Sequence, residues 1–219
     1  MDKKIEIIKE WLGTGSINIF GLPFSGKDTV GIRLAETLGS KFLSSGLILR
    51  AAAEADEDLR HEMANGTLAN TDKFKNIVLP YFAKSELAPY SLILSSVGRW
   101  EGEEYDVIDK TANAGHPIKC VILLNVSETE AKNRWIASQN DTSRGVREDD
   151  KGDEATFSNR IAEFMGKTMP VIKTYQMRKL LVSVQGNADR ETVFNNTIDG
   201  IVKFIEEQKN AREIPMTEA

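Results

Sequence analysis

Ile17-Asn18-Ile19-Phe20-Gly21-Leu22-Pro23-Phe24-Ser25-Gly26-Lys27-Asp28-Thr29 is the stretch on which the fold turns. Ile17–Phe20 is a short apolar run of strand length, and Val30–Leu38, directly after the stretch, carries a helical pattern. Between them, Gly21-x-x-x-x-Gly26-Lys27 has the spacing of a phosphate-binding loop, placed after a strand and before a helix as its mechanism requires. A glycine-rich turn lets successive backbone N–H groups point inward, and the helix N-terminus adds partial positive charge. Lys27 then reaches the terminal phosphates as a point cation. One position is irregular: Asp28 stands where a hydroxyl usually follows the lysine, and Thr29 supplies one a residue later. A carboxylate beside phosphates is unfavourable unless it points away or meets a metal. As a first-turn residue Asp28 favours the helix dipole; a magnesium ion would be held either by the nucleotide, Thr29 and water or by Asp28 itself.

Outward from this loop, Ser91–Leu94, Ile118–Leu124 and Leu180–Val184 read as buried strands, with Phe42–Ser44 as a very short fifth. Helical patterns fall between them over Leu47–Asn65, Asp72–Lys84, Gly102–Ala114, Glu128–Ser138, Thr156–Met177 and Arg190–Lys209. Strands alternating with helices predict an α/β fold, a mostly parallel five-stranded sheet with helices on both faces. Ahead of it, Ile5, Ile8, Trp11 and Leu12 sit at helical spacing and predict a short helix packed at the sheet edge. Gln139–Glu154 is a polar stretch nearly free of apolar residues, the composition of a functional lid or a disordered loop. The chain from Ala211 onward is expected to be loose.

Bulk properties narrow the function. A net charge of −5 argues against a general nucleic-acid or membrane-surface binder, so basic residues matter here only where they cluster locally. Cys120 is the only cysteine, which excludes an intramolecular disulfide and a cysteine zinc cage; inside Ile118–Leu124 it reads as a small core residue. The N-terminal residues lead into an amphipathic stretch and not an apolar signal core, and no window approaches bilayer length. A cytoplasmic monomer is the expectation.

The loop Gly-x-Pro-x-x-Gly-Lys-x-Thr, with proline third, resembles that of adenylate kinases and the other nucleoside monophosphate kinases. Five further segments follow in the family's order: Ser44-Ser45-Gly46-Leu47-Ile48-Leu49-Arg50, Ser96-Val97-Gly98-Arg99, Arg147-Glu148-Asp149-Asp150, Asn159-Arg160-Ile161, and Pro170–Tyr175. The resemblance implies a three-layer P-loop NTPase-type sandwich over residues 16–210, after a helical extension at 1–15 and before a loose tail at 211–219. It further implies an acceptor-binding helical insert at about 45–78 and a short lid at about 138–158. It implies phosphoryl transfer from ATP, as its Mg2+ complex, to a nucleoside monophosphate, with AMP as the default acceptor.

Phosphoryl transfer is mostly positioning and neutralisation of negative charge, so such a site needs several converging cations. By the family's pattern, Lys27, Arg99, Arg147 and Arg160 are catalytic. ATP would be held by Gly21, Pro23, Ser25, Gly26, Lys27, Asp28, Thr29, Arg134, Arg147 and Gly186. The acceptor would be held by Ser45, Gly46, Arg50, Gly98, Arg99, Glu103 and Arg160. Arg134 matches the adenine-stacking position, and Arg144 competes with Arg147 for the lid role. Asp149 and Asp150 would link the lid arginines or the metal's waters. Three departures stand out. Ser95 occupies the position of a magnesium-ordering Asp, Ser138 that of a second triphosphate arginine, and Glu103 that of a base-reading Gln. Glu103 either reads the acceptor base or points to solvent with Glu101 and Glu104. Ser95 and Ser138 keep open a second reading, a nucleotide-binding regulatory protein with weakened chemistry. Leu47 and Glu103 keep open a kinase for another small acceptor.

Overall fold

The computed structural model describes residues 1–64, 69–139 and 153–213. It is built on five parallel strands: β1 (Ser16–Gly21), β2 (Lys41–Ser44), β3 (Leu92–Ser95), β4 (Ile118–Asn125) and β5 (Leu181–Gln185), in the order β2-β3-β1-β4-β5. Parallel pairing demands crossovers, and helices supply them. Side chains alternate across β1: Ile17 and Ile19 face one layer, Asn18 and Phe20 the other, and all four are buried.

On the Ile17 side, α1 (Asp2–Leu12), α2 (Lys27–Leu38) and α10 (Arg190–Glu213) form one core with the sheet through Ile8, Leu34, Ile198 and Ile201. Here α1 packs against α10 and α2 and not at the sheet edge, with Trp11 edge-on to Phe204 at 6.1 Å and Lys4 paired to Asp199 at 2.6 Å. Its apolar stripe, Ile5, Ile8 and Leu12, is buried against these two helices. Because α10 continues to Glu213, residues 211–213 are helical where a loose tail was expected.

The opposite layer has two parts. One is the insert: α3 (Ser45–Ala53), α4 (Glu57–Ala64) and α5 (Thr71–Lys73), continued by a π turn Phe74–Val78 and a 3₁₀ turn Leu79–Ala83. The continuous helix expected over Leu47–Asn65 is broken after Ala53. Asp56 Oδ1 accepts the backbone N–H of Leu59, starting α4, while Arg60 donates to the carbonyl of Ala53 that closes α3. The other part comprises α6 (Glu103–Asn113), α7 (Glu128–Gln139), α8 (Glu154–Glu163), a π turn Phe164–Thr168 and α9 (Met169–Met177). Cys120 is fully buried on β4, and burial pushes its thiol pKa up, as a core residue requires. No helix among the described residues is long and apolar enough to cross a membrane.

Candidate active site

The loop after β1 turns through Gly26, whose φ of 87° is open to glycine and strained for other residues, and Lys27 opens α2. A Cβ on Gly21 would stand 2.6 Å from Ser25 Oγ, so only glycine lets the strand end so close to the loop. Arg134 on α7 braces the loop from behind. Its guanidinium donates to the carbonyls of Ser25 (2.8 Å) and Gly186 (2.7 Å) and to Glu130 (2.8 Å). One side chain thereby ties the loops after β1 and β5 together. Ser138 spends its hydroxyl on the carbonyl of Trp135, one turn back on α7.

In front of the loop, at the carboxyl ends of the strands, lies an open cavity. Ligands of parallel α/β sheets bind at this edge. Lys27, Arg50, Arg99 and Arg160 all line it, from four separate segments, together with Gly21, Pro23, Ser45 and Gly46. Burial lowers the Arg99 guanidinium to about 10, and the neighbouring charges of Arg160 and, more weakly, Arg50 push the same way against Glu103 and Asp28. It remains a cation at neutral pH, and like charges gathered this closely are relieved by an anion between them.

The loop carrying Arg99 is pinned to β1. Ser96 N–H donates to the carbonyl of Ile19 (2.9 Å). Asn18, fully buried, donates Nδ2 to the carbonyl of Val97 (2.8 Å) and accepts the Val97 N–H at Oδ1 (3.3 Å). Ser45 donates its hydroxyl to the carbonyl of Ser96, which joins the insert to the same loop. Thr168 reaches the carbonyl of Arg99 at 3.3 Å, and Trp100 Nε1 donates to the carbonyl of Ala69 at 2.9 Å.

A smaller adjoining cavity is lined by Ser45, Gly98, Arg99, Trp100 and Glu103. Glu103 does not point to solvent. It is 3% exposed, and Oε2 accepts the N–H groups of Arg99 (2.8 Å) and Trp100 (3.1 Å). Its Oε1 is buried without a hydrogen-bond partner. Glu104 is buried too, accepting Gly102 N–H at 2.8 Å. Of the three glutamates Glu101 is exposed, while the turn before α6 presents N–H groups that need acceptors, and the carboxylates of Glu103 and Glu104 supply them.

The two departures near the phosphate loop meet in space. Ser95 donates its hydroxyl to Asp28 Oδ1 at 2.6 Å, and both line the larger cavity. No cluster of three His, Cys, Asp or Glu residues suited to a metal exists among the described residues. The hard oxygens of Asp28 and Ser95 are of the kind that a hydrated magnesium ion takes. Thr29, expected to face the metal and the donor, is instead exposed on the first turn of α2 and is not part of the cavity wall, because the start of the helix turns Lys27 and Asp28 toward the cavity.

Of the residues expected from the sequence, the two cavities thus gather Gly21, Pro23, Lys27, Asp28, Ser45, Gly46, Arg50, Gly98, Arg99, Glu103 and Arg160. Ser25, Gly26, Arg134 and Gly186 form or brace the loops behind them. Arg144, Arg147, Asp149 and Asp150 lie outside the described residues. Asn18 was missed, although a lone polar residue inside an apolar strand is a legible signal. Glu163 and Thr168, both in the cavity wall, carry no comparable signal.

Comparison with known proteins agrees with this geometry. The AAA domain family matches residues 20–155. Adenylate kinase 1 of Synechocystis sp. is 30% identical over 201 residues, covering 84% of this chain and 94% of its own length. The adenylate kinase of Synechococcus sp. (strain CC9311) is 28% identical, covering 83% and 95%. That of Phocaeicola vulgatus is 26% identical, covering 86% and 99%.

Proposed function

Because the chain belongs to the AAA domain family as a divergent, adenylate kinase-like member, we propose that it transfers the terminal phosphoryl group of ATP to a nucleoside monophosphate. AMP is the acceptor that the relatives' names supply. The observation that carries this reading is the convergence of Lys27, Arg50, Arg99 and Arg160 on one cavity in front of the phosphate loop. A site that only bound a nucleotide would need the loop and Lys27, but not a second group of arginines across the cavity.

In this mechanism the loop N–H groups and Lys27 hold the donor's phosphates, while Arg50 and Arg99 hold the acceptor's. An acceptor phosphate oxygen attacks the terminal phosphorus in line. The bond to the bridging oxygen breaks, and its electrons leave with ADP. Lys27, Arg160 and Arg147 neutralise the oxygens of the group in flight. Positioning and charge carry the rate, with no covalent enzyme intermediate. Mg2+ bound with ATP would neutralise the donor's phosphates, held through water by Asp28 beside Ser95. A cytoplasmic location and a monomeric state accompany this reading.

The test is steady-state ADP formation with Mg2+ and ATP against AMP, GMP, CMP and UMP, for the wild type and Lys27→Ala. Acceptor-dependent turnover is expected, and Lys27→Ala should lower it by about two to four orders of magnitude with the fold intact. Near-normal turnover in Lys27→Ala would contradict the loop's role. Ser95 and Ser138 favour a second reading, a nucleotide-binding regulator; tight ATP binding without turnover on any acceptor would select it.

A further inference from the structure

We propose that Phe24 is a positioning residue for phosphoryl transfer: it seats the Arg160 guanidinium and couples the phosphate loop to α7 and α8. The proposal rests on the reading that this cavity binds the phosphates of ATP.

Phe24 lies inside the phosphate loop with φ 62°, the left-handed region that a bulky side chain rarely adopts. A glycine would hold that backbone without strain. Strained positions persist where the surroundings make use of the side chain, and they gather at functional sites. Here the use is visible. The Phe24 ring packs on Phe157 of α8 with centroids 6.0 Å apart, and Phe157 stacks on Trp135 of α7 at 5.1 Å. The Arg160 guanidinium lies over the Phe24 ring, 5.0 Å from its centroid. Phe157 and Arg160 are three residues apart on α8, hence on one face, and Phe24 lies against both.

Arg160 lines the cavity with Lys27, Arg50 and Arg99. A guanidinium laid on an aromatic face keeps its N–H edge in plane for bidentate contact with phosphate oxygens. The ring therefore limits where a long, flexible side chain can place its charge, and it does so from the loop that holds the phosphates. Any shift of α8 relative to that loop would carry Arg160 out of register.

The experiment uses the full chain with Phe24→Leu, Phe24→Tyr and Phe24→Gly, each alone and combined with Arg160→Ala. Turnover, both Michaelis constants, ATP affinity by calorimetry and melting temperature are measured. Phe24→Leu is expected to lower kcat about 5- to 30-fold with acceptor KM changed less than about 2-fold, and Phe24→Tyr to retain most activity. Phe24→Gly should lose kcat comparably, although its loop is less strained. In the Arg160→Ala background, Phe24→Leu should have almost no further effect on kcat. Losses that simply multiply in the double variant would overturn the proposal, as would Phe24→Leu lowering only the melting temperature. If the wild type transfers no phosphoryl group, the functional reading itself fails, and the same cycle read as ATP affinity decides the role of Phe24.

Discussion

The carboxylate of Glu103 divides its work between its two oxygens. Oε2 holds the turn at Arg99 and Trp100, and Oε1 is left buried beside the smaller cavity without a partner. A buried acceptor of this kind favours a ligand edge that offers N–H groups. Guanine presents two adjacent donors there, whereas adenine sets a ring-nitrogen acceptor beside its amine. In Glu103→Gln the amide oxygen can keep the two backbone bonds, and the amide nitrogen then offers a donor where Oε1 was. The ratio of AMP to GMP turnover is therefore expected to rise about 10-fold, the worth of one exchanged hydrogen bond. The measurement is kcat/KM for both acceptors in wild type and variant. An unchanged ratio would mean that Glu103 serves only the turn. The residue's position in the site was legible from the sequence, but its burial was not. A glutamate between two others reads as solvated unless the loop before it is known to need acceptors.

Among the elements, β1 does most to assemble the site. Its end launches the phosphate loop, and its middle, through Asn18, fixes the loop that carries Arg99. Asn18→Ala would leave both polar groups of Val97 without partners in a dry core, at a cost of about 3 kcal/mol. The melting temperature should fall by roughly 6–12 °C, and acceptor KM should rise more than ATP KM because only the Arg99 side loses its anchor. Thermal melts with both Michaelis constants check this. Equal effects on the two substrates would show that Asn18 supports the sheet in general. The strands and most helices could be read from apolar spacing because each buries a regular face. The break after Ala53 and the two π turns could not, since they answer to packing across the layers. Asp56 was nevertheless a readable start signal.

At the scale of the molecule, a chain with net charge −5 gathers Lys27, Arg50, Arg99 and Arg160 at one edge of its sheet. Such a cleft can attract polyanions that the overall charge would repel, because low-dielectric walls focus the local field. The parallel order β2-β3-β1-β4-β5 makes this possible by bringing the ends of β1, β2 and β3 to the same edge. Lys27 and the arginines were found in the sequence because fixed spacing in the loop and short segments in order carried them. The pairing of Asp28 with Ser95 was not, for it joins positions 67 residues apart. Nor was the left-handed Phe24, since nothing in its own residue type announces that backbone. The central claim is that the charge at this edge directs one phosphoryl group between two nucleotides. Its most direct test is to follow the terminal phosphate of ATP, labelled with 32P, in the presence of Mg2+ and each monophosphate. The account predicts label in the β-position of the new diphosphate, at a rate that depends on the acceptor. Label recovered only as inorganic phosphate, at a rate indifferent to the acceptor, would contradict it.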